Sequence, residues 1–326
     1  MNSKIFLQDA NEIRQKINRY LIDFVPSEPE SLYTPVRKIL QAGGKRVRPI
    51  LTAFAAGINS MDDSWLPAAA AVELLHTFTL IHDDIMDNAS TRRGLPTMHI
   101  QYGTNVAILS GDVLIALAQE SLSKLDSPFV PHIIAEFANG FRMVCEGQAL
   151  DKEYETRENI SVTEYLAMID LKTAKVLELA AVLGTLGGSG TYLEEIRSFA
   201  HHLGLAFQIG DDLLDLTATH AELGKTIGGD ILEGKRTFLF VTAMKTYNQL
   251  AETDRNLLDR IRNRTANPDD VGAARLLFER IGVLSSAQRA KIDQTFQAKT
   301  ALEAIPSGEA RDRLDAFSDY LLERAG

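Results

Sequence analysis

The chain has 326 residues, 45% of them hydrophobic and 24% charged, which excludes disordered and collagen-like classes and supplies a sizeable core. Its formal charge of −10 opposes nucleic-acid binding, so any phosphate ligand must meet a local basic cluster or a metal. The one cysteine, Cys145, can form no intrachain disulfide and no thiolate zinc site, which fits a reducing compartment, the cytoplasm by default.

From the N-terminus, residues 1–20 carry a charge every few positions and hold no apolar stretch like that of a signal peptide. Breakers follow at Pro26, Pro29 and Gly43–Gly44. Lys45, Arg46 and Arg48 lie between the glycine pair and Pro49, where a starting helix would offer backbone N–H groups and two or three cations to an anion. Surface clusters of that size are common, so this feature alone is weak. The next helix is predicted over 66–88, and another over 171–186; both are apolar around much of their circumference, as buried helices are. The longest apolar stretches, 66–81 and 176–189, contain Glu73, His76 and Glu178 and fall short of the ~20 residues of a spanning helix, so no transmembrane segment is expected.

Apolar residues recur at three- and four-residue spacing, as in Leu171, Ala174, Leu177, Ala181 and in Leu193, Ile196, Ala200, Leu203, Phe207. Further breakers stand at 59–63, 94–96, 127–131, 187–190, 228–229, Pro268 and 306–308, and strand alternation is convincing nowhere. The expectation is an all-α protein of about ten or more helices. No linker, composition shift or repeat divides it, which points to a single domain over 1–326.

Two helices end in acidic motifs, DDIMD at 83–87 and DDLLD at 211–215. In the first, Asp83 and Asp87 share a face and Asp84 is rotated by about 100°. Like charges four apart destabilise a helix by a few tenths of a kcal/mol, so the arrangement calls for a cation. An all-oxygen ligand set suits Mg²⁺, which is usually held by one or two carboxylates together with substrate phosphates. A solvated acidic helix end would explain one such motif equally well. By average composition, though, a chain this long holds DDxxD by chance only on the order of 0.1 times. Asp211, Asp212 and Asp215 make a second copy, and both copies follow apolar sequence where uncompensated charge is costly.

Cations cluster near both motifs. Arg92 and Arg93 follow the first in STRRGLP, read as a loop; Lys225 in ELGKTIGG and Lys235–Arg236 in LEGKRT follow the second. GKT is no P-loop, because Thr219 stands where the first glycine is required and no strand precedes it. The glycines of 184–190 lack dinucleotide-site spacing. His76 lies two helical turns before Asp83 on nearly the same face.

The ordered run GGKRVRP, LLHTFTLIHDDIMD, RRG, KTA, FQIGDDLLD, GK and GKRT, between about residues 40 and 240, resembles the trans-isoprenyl diphosphate synthases, the family of farnesyl and geranylgeranyl diphosphate synthases. The resemblance implies an isoprenoid-synthase-type helical bundle around a central cavity, the two aspartate motifs facing each other across its mouth, and a homodimer. It implies Asp83, Asp87 and Asp211 as the principal ligands of Mg²⁺, three ions per site, with Asp84, Asp212 and Asp215 in support. Arg92, Lys172, Thr173, Gln208, Lys225 and Lys235 resemble the contacts to an allylic diphosphate, and Lys45, Arg48, His76 and Arg93 those to isopentenyl diphosphate. Without the family pattern Lys172, Thr173 and Gln208 would pass as ordinary helix residues.

The implied reaction is a head-to-tail condensation in which diphosphate departs from the allylic substrate and the double bond of isopentenyl diphosphate attacks the cation. Product length is expected to depend on residues before Asp83. Phe78, five positions upstream and about 7.5 Å along the axis, with the small Thr79 at the fourth and no insertion in DDIMD, resembles geranylgeranyl synthases of the archaeal type. A twenty-carbon product is therefore expected over farnesyl diphosphate or a longer chain. A head-to-head condensing enzyme or cyclase would not need Lys45, Arg48 and Arg93, and a non-catalytic subunit of a heteromeric synthase would usually lack one motif.

Overall fold

The structure, a computed structural model, describes residues 3–57, 63–92, 94–217 and 227–323. Arg93 and Lys225 lie outside the described residues. The chain forms two compact units. One comprises Met1–Phe141, Val176–Ser198 and Ala301–Phe317; the other comprises Arg142–Lys175, Phe199–Thr300 and Ser318–Gly326.

Both are helical, as the apolar periodicity predicts. Among the described residues the only strands are Thr91–Arg92 and Leu95–Pro96, an antiparallel pair joining Thr91 to Pro96 and Arg92 to Leu95. The segment read as a loop is thus a small hairpin. Two residues per strand are too few to show alternation in sequence.

In the first unit, helix Leu66–Met86 is buried continuously from Ala68 to Leu75 and packs against Thr104–Leu122, Val47–Ala55 and Ser3–Phe24. Neighbours on several sides explain its nearly uniform apolarity. Its one buried acid in that stretch, Glu73, is paired with the Arg46 guanidinium, which also donates to Asn18 Oδ1 at 2.8 Å and Leu40 O at 2.6 Å. Arg46 is itself buried and takes a left-handed backbone conformation, φ 49°, where Val47–Ala55 begins. It is a structural cation, so the basic cluster read from the sequence reduces to Lys45 and Arg48. Helix Lys175–Gly187 approaches Val47–Ala55 so closely that a Cβ at Gly184 would stand 2.2 Å from Thr52 O.

Among the described residues the helix with membrane-like length and apolarity is neither 66–81 nor 176–189. Thr104–Leu122 is long and apolar enough to cross a membrane by length and composition, and 44% of its apolar window is buried inside the protein.

The second unit is built on a core that includes Tyr165, Ile209, Phe238, Phe240, Leu258 and Phe278. Helix Val162–Ile169 starts at a capping box, in which the Ser161 side chain accepts from the Glu164 amide and the Glu164 carboxylate accepts from the Ser161 amide. It runs into a π-helical turn at Asp170–Ala174. Two glycines hold this turn on either side. A Cβ at Gly147 would stand 2.5 Å from the Lys172 amide nitrogen, and one at Gly204 would stand 2.5 Å from Ala174 Cα. Bare backbone on both neighbouring helices is what leaves room for the wider turn.

Candidate active site

The first aspartate motif closes helix Leu66–Met86. Asp87 is the C-terminal cap, its N–H donating to Asp83 O at 2.8 Å, and Asn88 takes the left-handed conformation that ends the helix. Asp83 is half-buried and Asp87 exposed, whereas Asp84 is turned inward and buried. Arg92, on the hairpin, donates through Nε to both Asp84 oxygens at 2.9 and 3.0 Å, with Nη2 2.9 Å from Oδ1. Burial pushes the Asp84 carboxyl above its usual range, and Arg92 opposes the shift.

Upstream on this helix, His76 Nε2 lies 3.2 Å from Arg48 Nη1, so the fold joins two residues that are 28 apart in sequence. Lys45 is exposed just before the same short helix. Phe78 is 9% exposed; its ring is 5.3 Å from that of Phe141 and 4.4 Å from that of His82. Thr79 is half-buried and its hydroxyl donates to His76 O at 2.8 Å.

The second motif lies on helix Leu193–Thr217 in the other unit. Asp211 is half-buried; Asp212 and Asp215 are buried. Asp212 accepts from the Tyr165 hydroxyl, from the Phe238 amide at 2.8 Å and from Gln208 Nε2 at 3.1 Å. Burial first, and then the charge of Asp230, pushes the Asp212 carboxyl up to about 7 despite these donors. Asp215 Oδ2 accepts from the Asp230 amide at 3.0 Å, and its main-chain oxygen accepts from the Gly228 amide at 2.7 Å.

Gln208 extends this network, because its Oε1 accepts from the Thr173 hydroxyl at 2.9 Å. Thr173 and Lys172 both sit on the π turn, a distortion often found at functional sites. Lys172 donates to Asp151 Oδ2 at 2.6 Å, and the exposed Lys235 lies 3.5 Å from Asp230 and 2.8 Å from Glu233. Tyr165, Asp151 and Asp230 are the site's neighbours that sequence reasoning missed. Tyr165 contacts Asp212 across 47 residues, a separation that leaves no periodic signal.

Among the described residues no three His, Cys, Asp or Glu side chains converge as a preformed metal cage. Carboxylate-only clusters of this kind fit Mg²⁺, which demands near-octahedral geometry and completes its shell with water and substrate phosphate. In each motif the buried carboxylates, Asp84, Asp212 and Asp215, are taken up by protein donors, and Asp83, Asp87 and Asp211 are the more exposed members.

Residues 29–277 match the family described as polyprenyl synthetase. The chain is 38% identical over 302 residues to the short chain isoprenyl diphosphate synthase of Methanothermobacter thermautotrophicus, covering 91% of each. It is 35% identical over 338 residues to the geranylfarnesyl diphosphate synthase of Natronomonas pharaonis, covering 96% of each. The crystal structure of geranylgeranyl pyrophosphate synthetase from Pyrococcus horikoshii superposes with a TM-score of 0.88 at 31% identity, over 98% of this chain and 99% of that one. The chain belongs to the polyprenyl synthetase family, the trans-isoprenyl diphosphate synthases, and is a prenyltransferase that carries out their condensation reaction.

Proposed function

We propose that this enzyme joins isopentenyl diphosphate head-to-tail (1′-4) to allylic diphosphates with Mg²⁺, and that its main product is geranylgeranyl diphosphate. The observation that carries the reading is the difference in burial within each motif, where Asp84, Asp212 and Asp215 are buried and Asp83, Asp87 and Asp211 are more exposed. Asp83, Asp87 and Asp211 would hold the ions, three per site, with Asp84, Asp212 and Asp215 fixing the backbone that carries them. When bound, Mg²⁺ supplies charge stabilisation for the departing diphosphate.

The chain's own cations share that task. Arg92, Lys172, Lys225 and Lys235 would bind the allylic diphosphate, while Lys45, Arg48, Arg93 and His76 would orient isopentenyl diphosphate. The allylic C1–O bond breaks, C4 of isopentenyl diphosphate bonds to C1, and a proton leaves C2 for the released diphosphate. Thr173 and Gln208, tied to each other, would steady the charge developing at C1. No protein nucleophile takes part.

Phe78 would set where the growing chain stops, with the small Thr79 beside it. The test is incubation of the pure chain with isopentenyl diphosphate, Mg²⁺ and five-, ten- or fifteen-carbon starters in turn, with product mass as readout. Twenty carbons should dominate from every starter accepted. A dominant fifteen- or longer-chain product would overturn the length reading, and inactivity of the pure chain with all starters would favour a non-catalytic subunit.

The working form is proposed to be a cytoplasmic homodimer. In support, Thr104–Leu122 exposes the adjacent Ile108 at 41% and Leu109 at 58%, apolar surface that a second copy would cover. Replacing both by glutamate should convert a sedimenting dimer into a monomer. Unchanged sedimentation would remove this face as the interface.

A further inference from the structure

We infer that Phe141 and Gly111 determine product length by fixing the ring of Phe78, an inference that rests on the reading of Phe78 as the chain stop. A single aromatic can block a growing chain only if its ring is held in one place. On a helix, rotation about χ1 would otherwise swing it aside.

Two rings hold it. Phe141, on helix Val130–Tyr154, meets Phe78 edge-on, with centroids 5.3 Å apart and planes at 83°, the favourable T-shaped arrangement. His82, one turn beyond Phe78 on the same helix, lies against it at 4.4 Å. The His82 ring can occupy that place because Gly111 has no side chain: a Cβ there would stand 2.1 Å from Nε2 and 2.5 Å from Cδ2. Its Nε2 is also 3.4 Å from Ile108 O on the same neighbouring helix. Gly111 therefore seats His82, and the rings of His82 and Phe141 both bear on Phe78. Phe141 and Gly111 are thus positioning residues, acting through the ring of Phe78.

The experiment compares products of wild type, Phe78→Ala, Phe141→Ala, Phe141→Leu, Gly111→Ala and the Phe78→Ala/Phe141→Ala pair, by mass. Phe141→Ala and Gly111→Ala should each raise the ratio of products beyond twenty carbons to the twenty-carbon product about tenfold, with the KM for isopentenyl diphosphate unchanged. In the Phe78→Ala background, Phe141→Ala should add no further lengthening, because its effect passes through the ring already removed. Phe141→Leu keeps an apolar side chain and more of the volume than alanine but loses the edge contact, so it should lengthen products even where the alanine variant folds poorly. If Phe78→Ala itself leaves length unchanged, the chain-stop reading fails. If Phe78→Ala lengthens products while Phe141→Ala and Phe141→Leu do not, or if the double variant lengthens them additively, the inference is overturned and the reading survives.

Discussion

Asp83→Ala and Asp211→Ala should each lower turnover on the order of 10³-fold at saturating Mg²⁺, since losing ~4 kcal/mol of charge stabilisation at a departing diphosphate costs that much in rate. Neither carboxylate is buried: Asp83 and Asp211 are half-buried, so their removal should leave the helical circular-dichroism spectrum and thermal midpoint close to wild type. Asp212→Ala differs in kind. It would strip the acceptor from the Tyr165 hydroxyl and the Phe238 amide, both buried, and should lower stability as well as rate by leaving those donors unsatisfied. Steady-state kinetics across a Mg²⁺ titration, paired with urea unfolding, separates the two cases. Wild-type turnover in Asp83→Ala or Asp211→Ala would end the proposal that these residues hold the ions.

The parts of the fold and site visible in the sequence are those with local, periodic signals. Asp83 and Asp87 share a face because of helical geometry alone, and the apolar spacing around them announces the helix. Glycine and proline placed the ends: Lys175–Gly187 stops at the first of the 187–190 breakers, and Pro268 opens its helix at the first position. What stayed hidden depends on distant partners. Arg46 looks like Lys45 and Arg48 in sequence, yet its contact with Glu73, 27 residues away, makes it a core residue. DLKTA has nothing in its composition to separate a π turn from α-helix, and the hairpin carrying Arg92 is too short to alternate. A glycine inside a helical pattern reads as a weakness worth ~1 kcal/mol until its neighbour is known. Gly147, Gly184 and Gly204 each prove to be a place where another backbone comes too near for a methyl group.

That last observation carries a second large expected effect. Gly147→Ala should reduce kcat/KM about 100-fold, because a misplacement near 1 Å costs that much where groups must be held for reaction. The new Cβ would stand 2.5 Å from the Lys172 amide nitrogen and 2.9 Å from the Leu171 carbonyl carbon. Both are backbone atoms, which no rotamer can move away, so restoring a contact of about 3.5 Å requires the π turn to shift by roughly 1 Å. Lys172 and Thr173 move with it, and the Thr173–Gln208 bond that connects to Asp212 lengthens. Gly204→Ala presses on the same turn at Ala174 Cα and should act alike. Overpacking of this kind should also cost about 1–3 kcal/mol of stability. Gly272→Ala is the control: its Cβ would meet nothing within 4 Å on helix Pro268–Arg280, so it should gain about 0.4–1 kcal/mol with turnover unchanged. Measuring kcat/KM and urea midpoints for the three variants tests the argument as a set. Were Gly147→Ala to keep wild-type kcat/KM, the turn would not be what positions Lys172 and Thr173.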